Sequence, residues 1–93
     1  MPKKAAAKVE PPTTDKLGEF EIGIDIINEA PQLVKRIMSE CIVMRAEYMF
    51  ATKSVVYQAI HEDFEDRTLG EYPPTYEPEY DEASDALNWS KQD

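Results

Sequence analysis

The chain reads as a small α+β protein with an N-terminal strand, one helix, a β-hairpin and an extended acidic C-terminal segment. Three patterns carry that reading. Phe20, Ile22, Ile24 and Ile26 alternate with Glu19, Glu21, Gly23 and Asp25, the period of a half-buried strand. Leu33, Val34, Ile37, Met38 and Cys41 recur at three- and four-residue spacings, the period of one helix face. Residues 42–60 are crowded with β-branched and aromatic side chains, which suit a pleated surface.

With 93 residues the chain suits one compact domain with a limited core, and a second copy or a partner is expected to supply part of its stability. The division along the chain is into an arm over residues 1–17, an apolar core domain over 18–70 and an acidic Tyr/Pro-rich segment over 71–93. The arm, MPKKAAAKVEPPTTDK and onward, holds four lysines and three prolines with almost no bulky apolar residue. It cannot bury enough surface to offset its ordering and is expected to be disordered.

The helix is placed at residues 29–40, after Asn28 and with Pro31 in its first turn, where a missing N–H costs nothing. Beyond it, Ile42, Met44, Ala46, Tyr48 and Phe50 alternate with Val43, Arg45, Glu47 and Met49. Ala51-Thr52-Lys53-Ser54 then make a four-residue turn, with Thr52 and Ser54 flanking Lys53, and Val55, Tyr57 and Ala59 return as the second strand. The alternative is a mainly α chain, with one long central helix to residue 59 forming a paired-helix dimer. It has good helix formers behind it and no Gly-containing turn against it. That helix would far exceed the globular mean of about 11–12 residues, which favours the hairpin.

The formal net charge is −9, and it is unevenly placed. Eight acidic and eight basic side chains cancel over residues 1–60, whereas residues 61–93 hold eleven acidic residues against Arg67 and Lys91. Such a charge opposes direct binding to nucleic acid or anionic membranes and favours a basic partner. No apolar run approaches the roughly 18 residues of a membrane span, and no secretory signal is recognisable, so the expected location is cytoplasmic.

Within the acidic third, Glu62, Asp63, Glu65 and Asp66 surround Phe64. Tyr72, Tyr76 and Tyr80 follow at intervals of four, interleaved with Pro73, Pro74, Glu77, Pro78 and Glu79. The prolines exclude a helix or a central strand, leaving a polyproline-like or irregular edge segment. On an extended segment the three rings would share one face. Asp81, Glu82 and Trp89 complete the set, with residues 82–89 expected as a short helix capped by Ser84 or Asp81. The plain alternative is that the tyrosines and Trp89 finish the core. The functional reading makes Glu62, Asp63, Glu65, Asp66, Tyr72, Tyr76, Glu77, Glu79, Tyr80, Asp81, Glu82 and Trp89 a protein-binding surface, because tyrosines give large contact area at low entropic cost.

Catalysis finds little purchase. His61 and Cys41 are the single members of their types; Cys41 reads as core and His61 as the rim of a charged cluster. No glycine loop cradles phosphate, no cofactor signature is present, and no ligand spacing matches a zinc or calcium site. The sequence therefore points to a non-enzymatic, homo-oligomeric acidic protein without metal or cofactor. Its expected action is that of a phage or mobile-element inhibitor or regulator. It would bind a basic surface of a nucleic-acid-handling protein as a nucleic-acid mimic. The second reading is an oligomeric structural or assembly accessory protein.

Overall fold

A computed structural model describes residues 13–92. The fold is α+β: among the described residues nine short elements run β1 (Thr14–Asp15), β2 (Leu17–Gly23), α1 (Ile24–Glu29), α2 (Pro31–Glu40), β3 (Ile42–Met49), β4 (Ser54–Ile60), β5 (Arg67–Thr68), β6 (Thr75–Asp81) and β7 (Ala86–Gln92). Five strands form one sheet in the order β3-β4-β2-β6-β7, and β1 pairs with β5 in a separate two-residue ladder. Residues 1–12 of the expected arm lie outside the described residues, while Thr14 and Asp15 already pair with Thr68 and Arg67. Among the described residues no helix is long and apolar enough to cross a membrane.

β2 is the central strand, and its alternation is expressed as expected over Phe20 and Ile22, which are buried, as is Gly18. The alternation continues to Ile26, but the strand stops at Gly23, where it pairs with Ser54 at the start of β4. The Ile24 N–H then donates to the Lys53 carbonyl at 2.9 Å. With no strand left to pair, the chain turns into α1, so Asp25 and Ile26 are helical rather than extended. Pro31 separates α1 from α2. It disfavours a helical conformation at the preceding residue, and Ala30 accordingly sits at φ −129°, ψ 62°. Asn28 belongs to α1, and Ala30 precedes α2 without a side-chain cap.

The hairpin expected over residues 42–60 is present, in place of a long helix. β3 and β4 pair antiparallel from Ile42↔Ile60 to Met49↔Ser54, with a bulge between Val43 and Arg45. The bulge shifts the alternation, so that Val43 shares a face with Ala46 and Tyr48. The turn needs Lys53 in the left-handed region, at φ 52°.

The C-terminal third departs further from expectation. Residues 82–89 are not a helix: the chain turns over residues 82–85 and Ala86–Gln92 returns as β7, paired along its whole length with β6. Asp81 does cap, but it caps the turn. Its carboxylate accepts from the Ala83 N–H at 3.1 Å and the Ser84 hydroxyl at 3.0 Å, an Asx-type turn, and Asp85 takes φ 57°. Residues 75–81 are likewise an interior strand despite Pro78. β6 meets β2 in parallel only at Thr75↔Glu19 and then splays away, opening a cleft between Ile22, Leu33 and Pro78. No β2 ladder remains beside Pro78 to need its missing N–H.

The core lies between the sheet and α2. Phe20, Ile22, Ile37, Ala59, Phe64 and Tyr76 are buried, with Leu33, Met38, Tyr57, Leu87 and Trp89 packed around them. Phe64 is the hub. Its ring stacks on Tyr76 with centroids 4.2 Å apart and meets Trp89 edge-on at 5.1 Å. Trp89 in turn packs 5.0 Å from Phe20. This pair of stacked rings presses on the backbone of β2. A Cβ at Gly18 would lie 2.6 Å from Phe64 and 2.8 Å from Tyr76, so only glycine fits there.

Candidate protein-binding face

Cross-strand partners project to the same side of a sheet, so the ladders sort the side chains directly. On the side facing α2 lie Phe20, Tyr57, Ala46, Tyr76 and Trp89. On the other side Glu19 faces Gln58 and Thr75, and Glu21 faces Val56. Arg45 and Glu47 extend that side across β3, and alternation adds Glu77, Glu79 and Asp81, all exposed, on β6. Among the described residues the sheet face away from α2 therefore carries six carboxylates, on Glu19, Glu21, Glu47, Glu77, Glu79 and Asp81, against one guanidinium, that of Arg45. Along β6 the charges recur about every 6.8 Å, two residues of strand rise.

Local contacts hold parts of this face in place. Gln58 Nε2 donates to Glu19 Oε1 at 3.1 Å, and the Tyr72 hydroxyl donates to both Glu19 oxygens at 2.9 and 3.2 Å. The Glu21 carboxylate accepts from the hydroxyls of Ser54 and Thr52. A shallow cleft of about 200 Å³ between Glu19, Arg45, Glu47, Met49, Val56 and Tyr72 lies over β2, β3 and β4. The hydrogen bond to Glu19, followed by that carboxylate's charge, pushes the Tyr72 phenol pKa above its ordinary value.

The candidate residues from the acidic third do not form one surface. Tyr76 is buried in the core and Trp89 packs against it, so both serve folding, because their rings close the apolar layer over Gly18 and Phe20. Trp89 Nε1 is buried without a hydrogen-bond partner among the described residues. Tyr80 projects to the same side as Tyr76, where its hydroxyl donates to Asp85 Oδ1 at 2.6 Å; that bond raises its pKa. Tyr72 precedes β6, is 75% exposed and leans over the opposite face, so the three rings do not share a side. Glu62, Asp63, Glu65 and Asp66 sit on the loop after β4, at one end of the sheet. Asp66 pairs with Lys16 at 3.2 Å and Glu65 with Lys91 at 2.8 Å. Glu82 lies exposed in the β6–β7 turn. Glu77, Glu79 and Asp81 alone join the acidic face, and Glu19, Glu21 and Glu47 complete it from the charge-neutral first sixty residues. Alternating carboxylates in two predicted strands were the signal for them. Which strands become neighbours was not readable.

His61 is buried rather than at the rim of a charged cluster. Its Nδ1 accepts the Asp63 N–H at 2.9 Å, which leaves Nε2 to donate to Glu40 Oε1 at 2.8 Å. Arg36 pairs with the other Glu40 oxygen. Partial burial works against the Glu40 carboxylate, but the hydrogen bonds from His61 and Arg36 outweigh it and hold its pKa below the ordinary range. This chain ties the end of α2 to the end of β4. Cys41, next in sequence, is half-buried, and burial followed by the Glu40 charge pushes its thiol pKa up to about 11. A thiol so fully protonated at neutral pH is a poor nucleophile.

Among the described residues, no group of three or more His, Cys, Asp or Glu side chains is placed to hold a metal ion. No protein-family model, curated protein or solved structure matches the chain.

Proposed function

We propose that this chain is a non-enzymatic interaction protein whose acidic sheet face binds a basic surface of a nucleic-acid-handling protein, in the manner of a nucleic-acid mimic. One observation carries the reading: three strands, β2, β3 and β6, place six carboxylates on the sheet face that α2 leaves open. Like charges gathered on one face repel one another and cost stability, a cost that function at the face would justify. Rigid strands also hold the charges at a fixed spacing, which a flexible acidic tail does not. The assignment to a phage or mobile element, with an inhibitory or regulatory role, follows from size and charge by analogy of class.

The test compares capture from native host lysate by the full chain and by a triple variant, Glu77→Gln, Glu79→Gln and Asp81→Asn. These side chains are exposed, so the variant should fold. The proposal expects a nucleic-acid-binding protein that the wild type captures, that DNA displaces and that rising salt releases steeply. The variant should bind it at least about tenfold more weakly. Equal capture by both chains overturns the reading.

A further inference from the structure

β3 is an outer strand of the sheet, pairing with β4 alone among the described strands, and every one of its residues is exposed. Exposed edges are usually blunted by proline, lysine, an inward charge or a bulge. β3 has no proline, lysine or inward charge, and its bulge, between Val43 and Arg45, leaves Arg45–Met49 regular. Among the described residues nothing covers its outer edge, which displays Ile42, Met44, Tyr48 and Met49, followed by Phe50 at 84% exposure. Its two charges, Arg45 and Glu47, lie on one face, separated by one residue, and contact each other at 3.3 Å.

We infer that β3 pairs antiparallel with the β3 of a second copy, about a two-fold axis at Ala46 that sets Arg45 opposite the partner's Glu47. The register follows from symmetry. A two-fold axis normal to a continuous sheet keeps each residue on its own face, so some residue must stand opposite its own copy. Centred on Arg45 or on Glu47, the pairing sets like charges opposite each other, which is unfavourable. Centred on Met44 or Tyr48, it leaves both charges without an opposite partner. Ala46 is the centre that pairs them, and it does so twice.

The flanking residues agree. In this register Met44, the bulge residue, comes level with the partner's Tyr48. Sulfur beside an aromatic ring is a favourable contact. The small Ala46 at the axis leaves room for those larger side chains. The bulge at Met44 ends the regular ladder of β3 at Arg45, so a pairing centred on Ala46 closes at Met44 and Tyr48, five residues in all. Because the axis is normal to the sheet, both acidic faces point the same way. The dimer therefore presents a ten-stranded sheet with a doubled acidic face. The inference stands apart from the proposed function, since it concerns an edge and not a face.

The test is mass measurement of the full chain by light scattering, with variants that separate register from folding. At about 100 µM the wild type is expected as a dimer. Arg45→Glu should weaken dimerisation at least about tenfold with the circular dichroism spectrum unchanged, and so should Glu47→Arg. The double exchange, Arg45→Glu with Glu47→Arg, should restore the dimer. A cysteine opposite its own copy falls within disulfide reach, about 4.5–5.5 Å between Cα atoms, so Ala46→Cys should form an interchain disulfide above the wild-type background. A wild type that stays monomeric, a double exchange that fails to rescue, or no cross-link from Ala46→Cys each overturns the inference.

Discussion

Two hairpins of similar length flank β2, and they are treated very differently. β6–β7 is held by the interior: Tyr76 is buried under Phe64, and Trp89 reaches Phe20 and His61. Ion pairs fasten its ends, Lys91 to Glu65 at 2.8 Å and Arg36 to Asp85 at 3.6 Å. β3–β4 is held by β4 alone. β4 buries Ser54 and Ala59, while every residue of β3 is exposed, and so is Phe50 after it. The turns differ as well. Asp85 takes the left-handed region at φ 57°, which an aspartate tolerates, whereas Lys53 takes it at φ 52° against a steric penalty. A proline-containing, highly charged hairpin is thus the anchored one, and the apolar hairpin is the exposed one. Burial is decided by what covers a strand, and hydrophobic content alone does not predict it.

The largest break in this contrast should come at the hub of the anchored side. Phe64→Ala removes a fully buried ring and should cost about 3–5 kcal/mol, measured by urea denaturation, with β6 and β7 amides losing hydrogen-exchange protection first. Gly18→Ala forces a methyl against the Phe64–Tyr76 stack and should cost about 1–3 kcal/mol. On the exposed side Phe50→Ser should change the stability of the monomer by no more than about 0.5 kcal/mol. A large loss there would show that β3 is covered within the monomer and would remove the contrast. Lys53→Gly should act in the opposite direction, raising stability by up to about 1 kcal/mol through relief of the left-handed turn.

The clasp between α2 and β4 gives a smaller, pH-dependent effect. The Glu40 pKa is lowered in the folded chain from its reference of 4.5. A carboxylate with a depressed folded pKa stabilises fully above its unfolded pKa and loses that contribution as pH falls through the folded value. Glu40→Gln should therefore be less stable than wild type at neutral pH, and the difference should shrink as pH drops below about 4.5. A gap that is constant from pH 7 to pH 3 would mean that the clasp acts through shape and not charge.

The sequence by itself determined the local elements wherever a period and a terminator coincided. Alternation placed β2, Pro31 opened α2, and the β-branched and aromatic content of residues 42–60 favoured a hairpin over a helix. It also determined the total charge and the absence of any cysteine partner for Cys41. What tertiary structure decided were the neighbours. Pro78 is compatible with an interior strand because β6 splays from β2 after Thr75, a geometry that no local propensity encodes. Residues 86–92 became a strand because β6 offered a ladder and Trp89 a place beside Phe64, which outweighed the helix-forming residues before it. His61 and Phe64, set among charges in the chain, were buried because their rings fill the end of the core. The acidic face is the clearest case. Glu19, Glu21 and Glu47 looked balanced by nearby basic residues along the chain, yet the sheet sets them on the same face as Glu77, Glu79 and Asp81. Charge along a sequence adds up by position, whereas charge on a sheet adds up by face, and only the ladder of β3, β4, β2 and β6 determines which residues share one.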